Sequence, residues 1–520
     1  MLDFQNKTTP PDFAHSSVDV MGHLPQGDGR IWAQTLTDVV AACWQSGGFD
    51  AIREPGGIAL TDADVSAAWA DMSANGIAPG DVVIVAAENT LATTARLLAL
   101  WLHGNVVVPV DPAIPVDTRE MIARVAQAQA FVAVDGNVTA ANGTRRDSII
   151  RLRRPLRVTG ADVAMMIFTS GSSGTPKGVE LSHANVMSAL RAIATYQQLD
   201  ASDRIMAIPP FFFDYGLYQL LLSLFTGCEL ILSGSVRSVS KLAPLIVREM
   251  PTIVPVVPAL ATGIARMLEV SKRKVDSVRL ITNTGGHLPE AAIELLGRVF
   301  PNSVAMPMYG LTECKRALFC DRSIYPDASE SCGTAMPGLL VKVLVEEGGA
   351  LRQAGPDEVG ELYVRGSSVM QGYCGDTSTA SARLIPGAYR DDVWLATGDL
   401  MACDGQGLHY FKGRSKTLIK QAGYCILPSD LERMAEALQE VSAAIVVGRT
   451  EPSGDETAVM FVELAKAGDG LDIRAIKTLL KAKLPASLMP RVVSIIADWP
   501  ATPNGKVCQK TLSHQAKDLK

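Results

Sequence analysis

The sequence predicts an α/β protein with a large N-terminal domain and a small, mobile α+β C-terminal domain. Between Asp81 and Met308, apolar runs typical of strands alternate with runs typical of helices, a pattern that indicates parallel sheets. The alternation continues for longer than one sheet usually holds, which favours two related αβ layers. After residue 335, glycine-rich turns separate strand-like runs and add a small β region to the large domain.

The individual elements follow from the same patterns. In the N-terminal part, strands are predicted at 81–87, 106–110, 131–134, 163–169, 204–208, 279–282 and 303–308, and helices at 91–103, 118–128, 183–198 and 215–225. The small β region comprises strands at 339–346, 360–365 and 408–412. After Gly413, a hairpin precedes helices at 429–438 and 472–484 and strands at 443–447, 458–464 and 492–496. We therefore place the boundary between domains 1–413 and 414–520.

Composition excludes several classes of protein. The 520 residues are 48% hydrophobic and 20% charged, which rules out a disordered, collagen-like or coiled-coil chain. The net charge of −6, without a basic run, indicates no nucleic-acid partner. Nine scattered cysteines without a C-x-x-C pair fit a reducing compartment. Neither a signal peptide nor a membrane span is predicted, so we expect a cytoplasmic protein with no membrane partner.

A glycine- and hydroxyl-rich loop follows the predicted strand at 163–169. Glycines allow backbone N–H groups to approach an anion closely, hydroxyl groups add donors, and a lysine adds positive charge. The pattern therefore indicates polyphosphate binding, and the alternative is a flexible polar turn. Pro176 excludes a Walker A loop, which needs glycine at that position. The candidate binding residues are Thr169, Ser170, Gly171, Ser172, Ser173, Gly174, Thr175 and Lys177.

Four further motifs follow this loop along the chain. They are MYGLTE at 308–313, TGD at 397–399, GRSK at 413–416 and PNGK at 503–506. Together with the loop and in this order, they resemble the signatures of the adenylate-forming superfamily. That superfamily includes acyl-CoA ligases, the adenylation domains of nonribosomal peptide synthetases, and firefly luciferase. The resemblance spans residues 166–506.

The resemblance implies a reaction in two steps. A carboxylate attacks the α-phosphate of ATP, with Mg²⁺ present, and gives an acyl-adenylate and pyrophosphate. A thiol, from coenzyme A or from the phosphopantetheine of a carrier protein, then displaces AMP. No carrier-protein signature occurs in this sequence, so a carrier would be a separate protein.

Nucleotide-binding roles are implied residue by residue. Glu313 would bind Mg²⁺, a cation that prefers carboxylate oxygens, and Thr312 would hydrogen-bond the α-phosphate. Asp399 would accept hydrogen bonds from the ribose hydroxyls, with Arg414 beside the ribose or a phosphate. Outside the motifs, the alternatives are a strand-end turn for the tyrosine–glycine pair and a turn cap for Asp399. The remaining nucleotide positions are Gly285, Tyr309 and Gly310, of which the tyrosine would face adenine.

Lysines near the C-terminal end have separate implied roles. Lys506 would stabilise the negative charge that grows around the α-phosphate in the first step, and the alternative is a solvated turn lysine. Lys416 occupies the position at which related enzymes rotate the small domain between the two steps. Lys420 and Gly423 lie in the segment expected at the site during the second step, where Gly423 would leave space for the pantetheine arm.

The acid-binding residues are also implied by resemblance. Phe213 would be an aromatic gate, and Asp214 matches the aspartate that holds the α-ammonium group in amino-acid-activating domains. Asp214 could instead be the N-cap of the helix predicted at 215–225, because aspartate is a favoured cap. Arg316 would meet a second carboxylate, Asp214, or a structural partner. The pocket positions are Phe213, Asp214, Tyr215, Tyr218, Pro255, Thr284, Met308, Arg316 and Ala317.

These features predict an AMP-forming ligase that activates a small carboxylic acid, with an amino acid favoured. Two alternatives stay open. One is an aryl- or fatty-acyl-CoA ligase, which differs in the acid and the acceptor. The other is a non-catalytic nucleotide-binding relative, against which the intact Glu313, Asp399 and Lys506 argue.

Overall fold

The computed structural model describes residues 33–47, 49–141, 158–169, 176–234, 238–375, 383–389, 392–415, 419–421, 424–451, 456–482, 489–500 and 507–519. The chain divides into two compact units. Unit 1 comprises Met1–Ser329, Ala335–Leu340 and Val364–Leu395, and unit 2 comprises Glu330–Thr334, Val341–Tyr363 and Ala396–Lys520.

Several helices begin at a side chain that caps their free N–H groups. Thr35, Thr61 and Ser182 each accept a hydrogen bond from the backbone three residues later, and the side chain there bonds back. The helices are α1 (Leu36–Gln45), α2 (Asp62–Ala74), α3 (Leu91–Leu102), α4 (Val116–Ala126), α5 (His183–Tyr196), α6 (Asp214–Thr226), α7 (Val239–Glu249), α8 (Pro258–Val270), α9 (Glu290–Val299), α10 (Pro428–Glu436), α11 (Ile473–Lys481) and α12 (Gln509–Asp518).

Strands form where apolar and β-branched residues cluster between turn residues. They are β1 (Ile52–Arg53), β2 (Val82–Ala86), β3 (Val106–Val110), β4 (Ala130–Val132), β5 (Val138–Ala140), β6 (Val163–Thr169), β7 (Lys177–Ser182), β8 (Arg204–Ala207), β9 (Glu229–Leu232), β10 (Ile253–Val256), β11 (Leu280–Asn283), β12 (Val304–Tyr309), β13 (Leu318–Phe319), β14 (Ser331–Ala335), β15 (Leu339–Glu347), β16 (Ala350–Gln353), β17 (Gly360–Gly366), β18 (Gly372–Tyr373), β19 (Leu384–Pro386), β20 (Val393–Cys403), β21 (His409–Arg414), β22 (Ile419–Gln421), β23 (Tyr424–Ile426), β24 (Val441–Thr450), β25 (Glu456–Leu464) and β26 (Val492–Ile495).

Unit 1 contains the two predicted layers as separate sheets. One sheet has the strand order β18-β7-β6-β3-β2-β4-β5 and the other has the order β1-β9-β8-β10-β11-β12-β13. In the second sheet the pairs from β1 to β12 are parallel, and β13 is antiparallel to β12. The predicted α/β fold class is confirmed.

Hydrophobic cores cover the sheets of unit 1. One cluster joins strands of the first sheet to α4 and includes Ile84, Val108, Ile122 and Met166. A larger cluster joins strands β8 to β11 with helices α7, α8 and α9 and includes Met206, Ile246, Ile264 and Leu296. These packed layers hold the strand ends that carry the candidate site.

Unit 2 contains most of an antiparallel sheet and a smaller α+β part. The sheet has the order β14-β21-β20-β17-β15-β16, and β24, β25 and β26 form a second sheet against α10 and α11. Unit 2 begins well before Gly413 because β20 pairs with β21, which ends at Arg414. The boundary at Gly413 and the mobility of residues 414–520 stay predictions.

In the described part of the chain, no helix combines the length and apolar character that crossing a membrane requires.

Candidate active site

The candidate site lies where the parallel strands β11 and β12 end. The two strands pair in register, with Asn283 opposite Pro307. Since the carboxyl ends of parallel strands share one edge of a sheet, ligands of open α/β sheets commonly bind there. Thr284 and Gly285 follow β11, and the φ of Gly285 is 84°, a value that favours glycine. Tyr309 is the last residue of β12.

After β12 the chain forms a tight loop that returns to its own start. The Ala317 N–H donates a 2.8 Å hydrogen bond to the carbonyl oxygen of Tyr309. A Cβ atom at Gly310 would lie 1.8 Å from the carbonyl oxygen of Lys315, so glycine is required at this close approach. We call residues 309–317 the motif loop. Glu313 is the central residue of this loop, and Lys315 and Arg316 follow it.

Glu313 is buried in a small polar cluster. Its Oε1 accepts hydrogen bonds from the Tyr373 hydroxyl at 2.6 Å and from Arg383 Nη1 at 2.5 Å. Burial and the adjacent Glu313 charge raise the pKa of Tyr373. Burial alone would lower the pKa of Arg383, but the charges and hydrogen bonds of Glu313 and Tyr373 together outweigh it, and the pKa is raised. The guanidinium therefore stays protonated and neutralises this carboxylate.

Lys177 lies close to the Glu313 cluster. Tyr373 pairs with Val179 across β18 and β7, and Lys177 Nζ lies 5.4 Å from the centroid of the Tyr373 ring. Lys177 is also paired with Thr169, which makes the predicted phosphate loop the connection of the β6–β7 hairpin. The end of that loop and the motif loop therefore meet at Tyr373.

One oxygen of the Glu313 carboxylate is already engaged by protein donors in this arrangement. Its Oε1 is already paired with the Arg383 guanidinium, so a cation at that oxygen would have to displace Arg383. Among the described residues, no group of three or more His, Cys, Asp and Glu side chains could hold a metal ion. The role of Glu313 as an Mg²⁺ ligand stays a prediction.

Asp399 and Arg414 form an ion pair within unit 2. The two residues are cross-strand partners in β20 and β21, and Arg414 Nε lies 3.0 Å from Asp399 Oδ1. Asp399 N–H donates to Thr397 Oγ1, while the N–H of Gly398 donates to Glu361 Oε1. The TGD segment therefore lies within strand β20, and Asp399 and Arg414, both predicted to contact the nucleotide, are adjacent.

Asp214 is the first residue of α6 and does not cap it. The N-cap is Phe213, and this helix has no side-chain cap hydrogen bond, so the alternative role of Asp214 as an N-cap is not realised. Asp214 Oδ2 instead lies 3.5 Å from Lys315 Nζ of the motif loop. Burial lowers the pKa of Lys315, and the Asp214 charge offsets part of that effect. Asp214 is thus paired with an ammonium group of the protein itself.

Tyr215 and Tyr218 of α6 pack against Arg316. The Arg316 Cζ lies 5.0 Å from the centroid of the Tyr215 ring and 5.5 Å from that of Tyr218. The Tyr215 hydroxyl is 2.8 Å from the carbonyl oxygen and 2.7 Å from Oγ1 of Thr282 in β11. Burial raises the pKa of both tyrosines. The structure thus gathers Tyr215, Tyr218 and Arg316 at one place.

The other predicted pocket residues lie on or next to β10, β11, β12 and α6, and on the motif loop. Pro255 in β10 is opposite Thr282 in β11. The Met308 sulfur accepts a 3.0 Å hydrogen bond from the Tyr196 hydroxyl, whose pKa burial raises to about 12. The ring of Phe213 meets that of Tyr215 edge-on, with centroids 6.3 Å apart. Ala317 is fully buried, whereas Thr284 is half-buried after β11.

Sequence reasoning missed three residues of the site: Lys315, Tyr373 and Arg383. Lys315 lies two positions after the MYGLTE motif, and its position next to Arg316 was a signal that could have found it. Tyr373 is the second of the two residues that form the short strand β18. Arg383 contacts Glu313 across 70 positions of sequence, and nothing local marks it.

Some predicted residues lie outside the described part of the chain. These are the phosphate-loop residues Ser170, Gly171, Ser172, Ser173, Gly174 and Thr175, together with Lys416, Gly423 and Lys506. Lys420 lies in β22, but its side chain is outside the described residues.

Comparisons with known proteins agree with this fold. The chain belongs to the AMP-binding enzyme family, which matches residues 61–374, and the C-terminal domain of AMP-binding enzymes matches residues 430–506. The predicted family membership is therefore confirmed.

The relatives include a bacitracin synthase and a fatty-acid–CoA ligase. Bacitracin synthase 1 from Bacillus licheniformis is 28% identical over 85% of this chain and 8% of its own length. A long-chain-fatty-acid–CoA ligase from Bacillus subtilis (strain 168) is 28% identical over 68% of this chain and 61% of its own. The chain therefore matches less than two thirds of either relative.

The fold is also that of a solved structure. ATP-bound MatB from Rhodopseudomonas palustris superimposes with a TM-score of 0.78 and 21% identity, covering 93% of this chain and 99% of MatB. At this identity the likeness concerns the fold.

Proposed function

We propose that this protein activates a small carboxylic acid with ATP and transfers the acyl group to a thiol. The first step forms an acyl-adenylate and pyrophosphate, and the second forms a thioester and AMP. Family membership supports the reaction class, and the names of the relatives support both a CoA ligase and a peptide-synthetase function.

The observation that carries the proposal is the arrangement around the motif loop. Glu313 accepts a hydrogen bond from Tyr373, and Lys177, at the end of the predicted phosphate loop, lies over the ring of the same tyrosine. Two positions later in the same loop, Lys315 reaches Asp214 at the start of α6, beside the predicted acid pocket. Such a loop can hold a nucleotide phosphate and an acid next to each other.

The chemistry asked of these residues is mainly positioning and charge neutralisation. Attack of a carboxylate on a phosphate brings two negative groups together, so the reaction is accelerated by fixed donors and cations at the developing charge. Lys177 and the hydroxyl-rich loop would contact the phosphates, Thr312 would hydrogen-bond the α-phosphate, and Lys506 would neutralise the reacting centre. Asp399 would accept hydrogen bonds from the ribose.

Two thiols could accept the acyl group in the proposal. Coenzyme A is favoured by the ligase relatives, and a carrier-protein phosphopantetheine by bacitracin synthase 1. With purified protein and ATP, thioester formation on coenzyme A and on a phosphopantetheinylated carrier can be compared by mass spectrometry.

Acid-dependent exchange between ATP and labelled pyrophosphate tests the first step. With a panel of aliphatic, aromatic and amino acids, we expect at least one small acid to raise exchange well above the acid-free rate. Because the acyl-adenylate must form reversibly to exchange label, absence of acid-dependent exchange across the panel would contradict the proposed activity.

An amino-acid substrate is a second candidate that rests on Asp214. The sequence favours it because this carboxylate matches the one that binds a substrate ammonium in amino-acid-activating domains. Lys315 Nζ already contacts Asp214, which reduces the need for a second ammonium. The amino-acid specificity stays a prediction.

Asp214→Asn distinguishes two roles of this carboxylate, binding a substrate ammonium group and pairing with Lys315. If Asp214 serves only as the partner of Lys315, its loss affects both substrates to the same extent. We therefore expect the ratio of kcat/KM values for an α-amino acid and its deamino analogue to change by less than about threefold. The measurement is pyrophosphate exchange with both substrates. If Asp214 binds the substrate ammonium, the ratio falls by about 10- to 100-fold instead, as for a lost charged hydrogen bond.

A further inference from the structure

Arg316 is a buried cation whose hydrogen-bonding edge is open. The residue is 4% exposed, yet neither Nε nor Nη2 has a hydrogen-bond partner among the described residues. These two nitrogens form one edge of the guanidinium group, the fork that binds a carboxylate through two parallel hydrogen bonds. A buried polar group without a partner is costly, so an open fork of this kind points to a ligand.

Two tyrosine rings of α6 pack against Arg316. Arg316 Cζ lies over the rings of Tyr215 and Tyr218, at 5.0 and 5.5 Å from their centroids. The Tyr218 hydroxyl is fully buried and likewise has no hydrogen-bond partner in the described part of the chain. The tyrosine that packs against Arg316 thus carries a third unpaired donor, whereas the Tyr215 hydroxyl is engaged by Thr282.

Charge in this cluster is unbalanced. Asp214 is matched by Lys315, whose Nζ lies 3.5 Å from its carboxylate. Arg316 then contributes a positive charge for which no described carboxylate is a partner. Since a buried charge is stable only when it is paired, the missing partner is an anion.

We infer that Arg316 and Tyr218 form a subsite for a second carboxylate of the substrate, so that the acid activated by this protein is a small dicarboxylic acid. This inference rests on the proposed function and specifies its substrate class. The guanidinium fork binds the carboxylate that does not react, and the Tyr218 hydroxyl donates to one of its oxygens.

In this proposal the reacting carboxylate binds away from Arg316, towards Glu313 of the motif loop. Glu313 contacts Tyr373 and Arg383, whereas Arg316 contacts the two tyrosines of α6, and the described contacts of the two clusters share no residue. A substrate that spans these clusters presents one carboxylate to the nucleotide and the other to Arg316.

Pyrophosphate exchange with matched acids tests the subsite. The substrates are the α,ω-dicarboxylic acids of three to six carbons, their monomethyl esters, and the monocarboxylic acids of equal length. We expect kcat/KM for the best dicarboxylic acid to exceed that of its monocarboxylic and monoester analogues by at least about 100-fold, because a site built around buried donors rejects analogues that leave them unpaired.

Variants of the subsite separate binding from folding. We expect Arg316→Gln to lower kcat/KM for the dicarboxylic acid by about 10- to 100-fold and to change that for the monocarboxylic acid by less than about threefold. Tyr218→Phe removes only the hydroxyl and should cause a smaller loss in the same direction. The matched control is Arg298→Gln, an exposed arginine paired with Glu269, which should leave the preference unchanged.

Binding without ATP gives a second readout. The dicarboxylic acid should raise the thermal unfolding midpoint of the wild type and of Arg298→Gln, but not that of Arg316→Gln, because a ligand stabilises the state that binds it. Equal use of mono- and dicarboxylic acids, or an equal loss of both with Arg316→Gln, would overturn the subsite while the proposed activity stands. A midpoint shift that depends on Arg316, without exchange for any acid, would support the subsite and contradict the proposed activity.

Discussion

Replacing Lys506 with alanine is expected to lower acid-dependent pyrophosphate exchange by about 10²- to 10³-fold, the effect of removing one preorganised donor from a reacting centre. Negative charge accumulates between the carboxylate, the α-phosphate and the departing pyrophosphate. A positioned ammonium group stabilises that charge more in the transition state than in the ground state, so the loss should appear mainly in kcat. The measurement is steady-state exchange with the best acid of the panel.

Lys510→Ala is the matched control for this prediction. Lys510 is an exposed lysine in α12, four positions from Lys506, so its removal changes the net charge equally. Exchange by this variant should stay within about twofold of the wild type, as for an ordinary surface substitution. Near-normal exchange by Lys506→Ala would contradict the assigned role.

Replacing Lys416 with proline is expected to preserve adenylation and to block thioester formation. The resemblance makes this residue a hinge, and a hinge must accept two backbone conformations. Proline fixes φ and removes the N–H, so one of the two conformations becomes inaccessible. Exchange should therefore stay within about threefold of the wild type while the rate of thioester formation falls by about 100-fold or more.

The control for the hinge is Lys416→Ala, which removes the charge and keeps the backbone freedom. Both steps should then proceed at rates within about threefold of the wild type. Pyrophosphate exchange and mass-spectrometric detection of the thioester report the two steps separately. Equal loss of both steps in the proline variant would refute the hinge role.

Much of the fold could be predicted because the strongest signals are local. The uninterrupted apolar run of β6 was predicted at its observed bounds, 163–169, since a buried strand needs no alternation. In contrast, β7 was missed because its sequence, KGVELS, begins inside the loop motif and mixes polar with apolar residues. Helix α12 was also missed, as only Leu512 and Ala516 of its ten residues are buried and so little periodicity remains.

The site was predictable as far as its motifs extend. The phosphate loop and the motif loop carry residue types whose chemistry is evident from the sequence, and the structure brings Lys177 and Glu313 to the same tyrosine. Pairings made by folding were not predictable. Arg383 reaches Glu313, and Lys315 reaches Asp214 across 101 positions, and neither contact leaves a local pattern.

Transfer of ¹⁸O from the acid to AMP tests most directly whether this protein activates acids as acyl-adenylates. Carboxylate attack on the α-phosphorus makes one carboxylate oxygen the bridge to phosphorus, and thiol attack on the carbonyl leaves that oxygen on AMP. With the acid labelled at both carboxylate oxygens, we predict one ¹⁸O in AMP for each thioester formed. Unlabelled AMP, or label in inorganic phosphate with ADP as the nucleotide product, would contradict the mechanism.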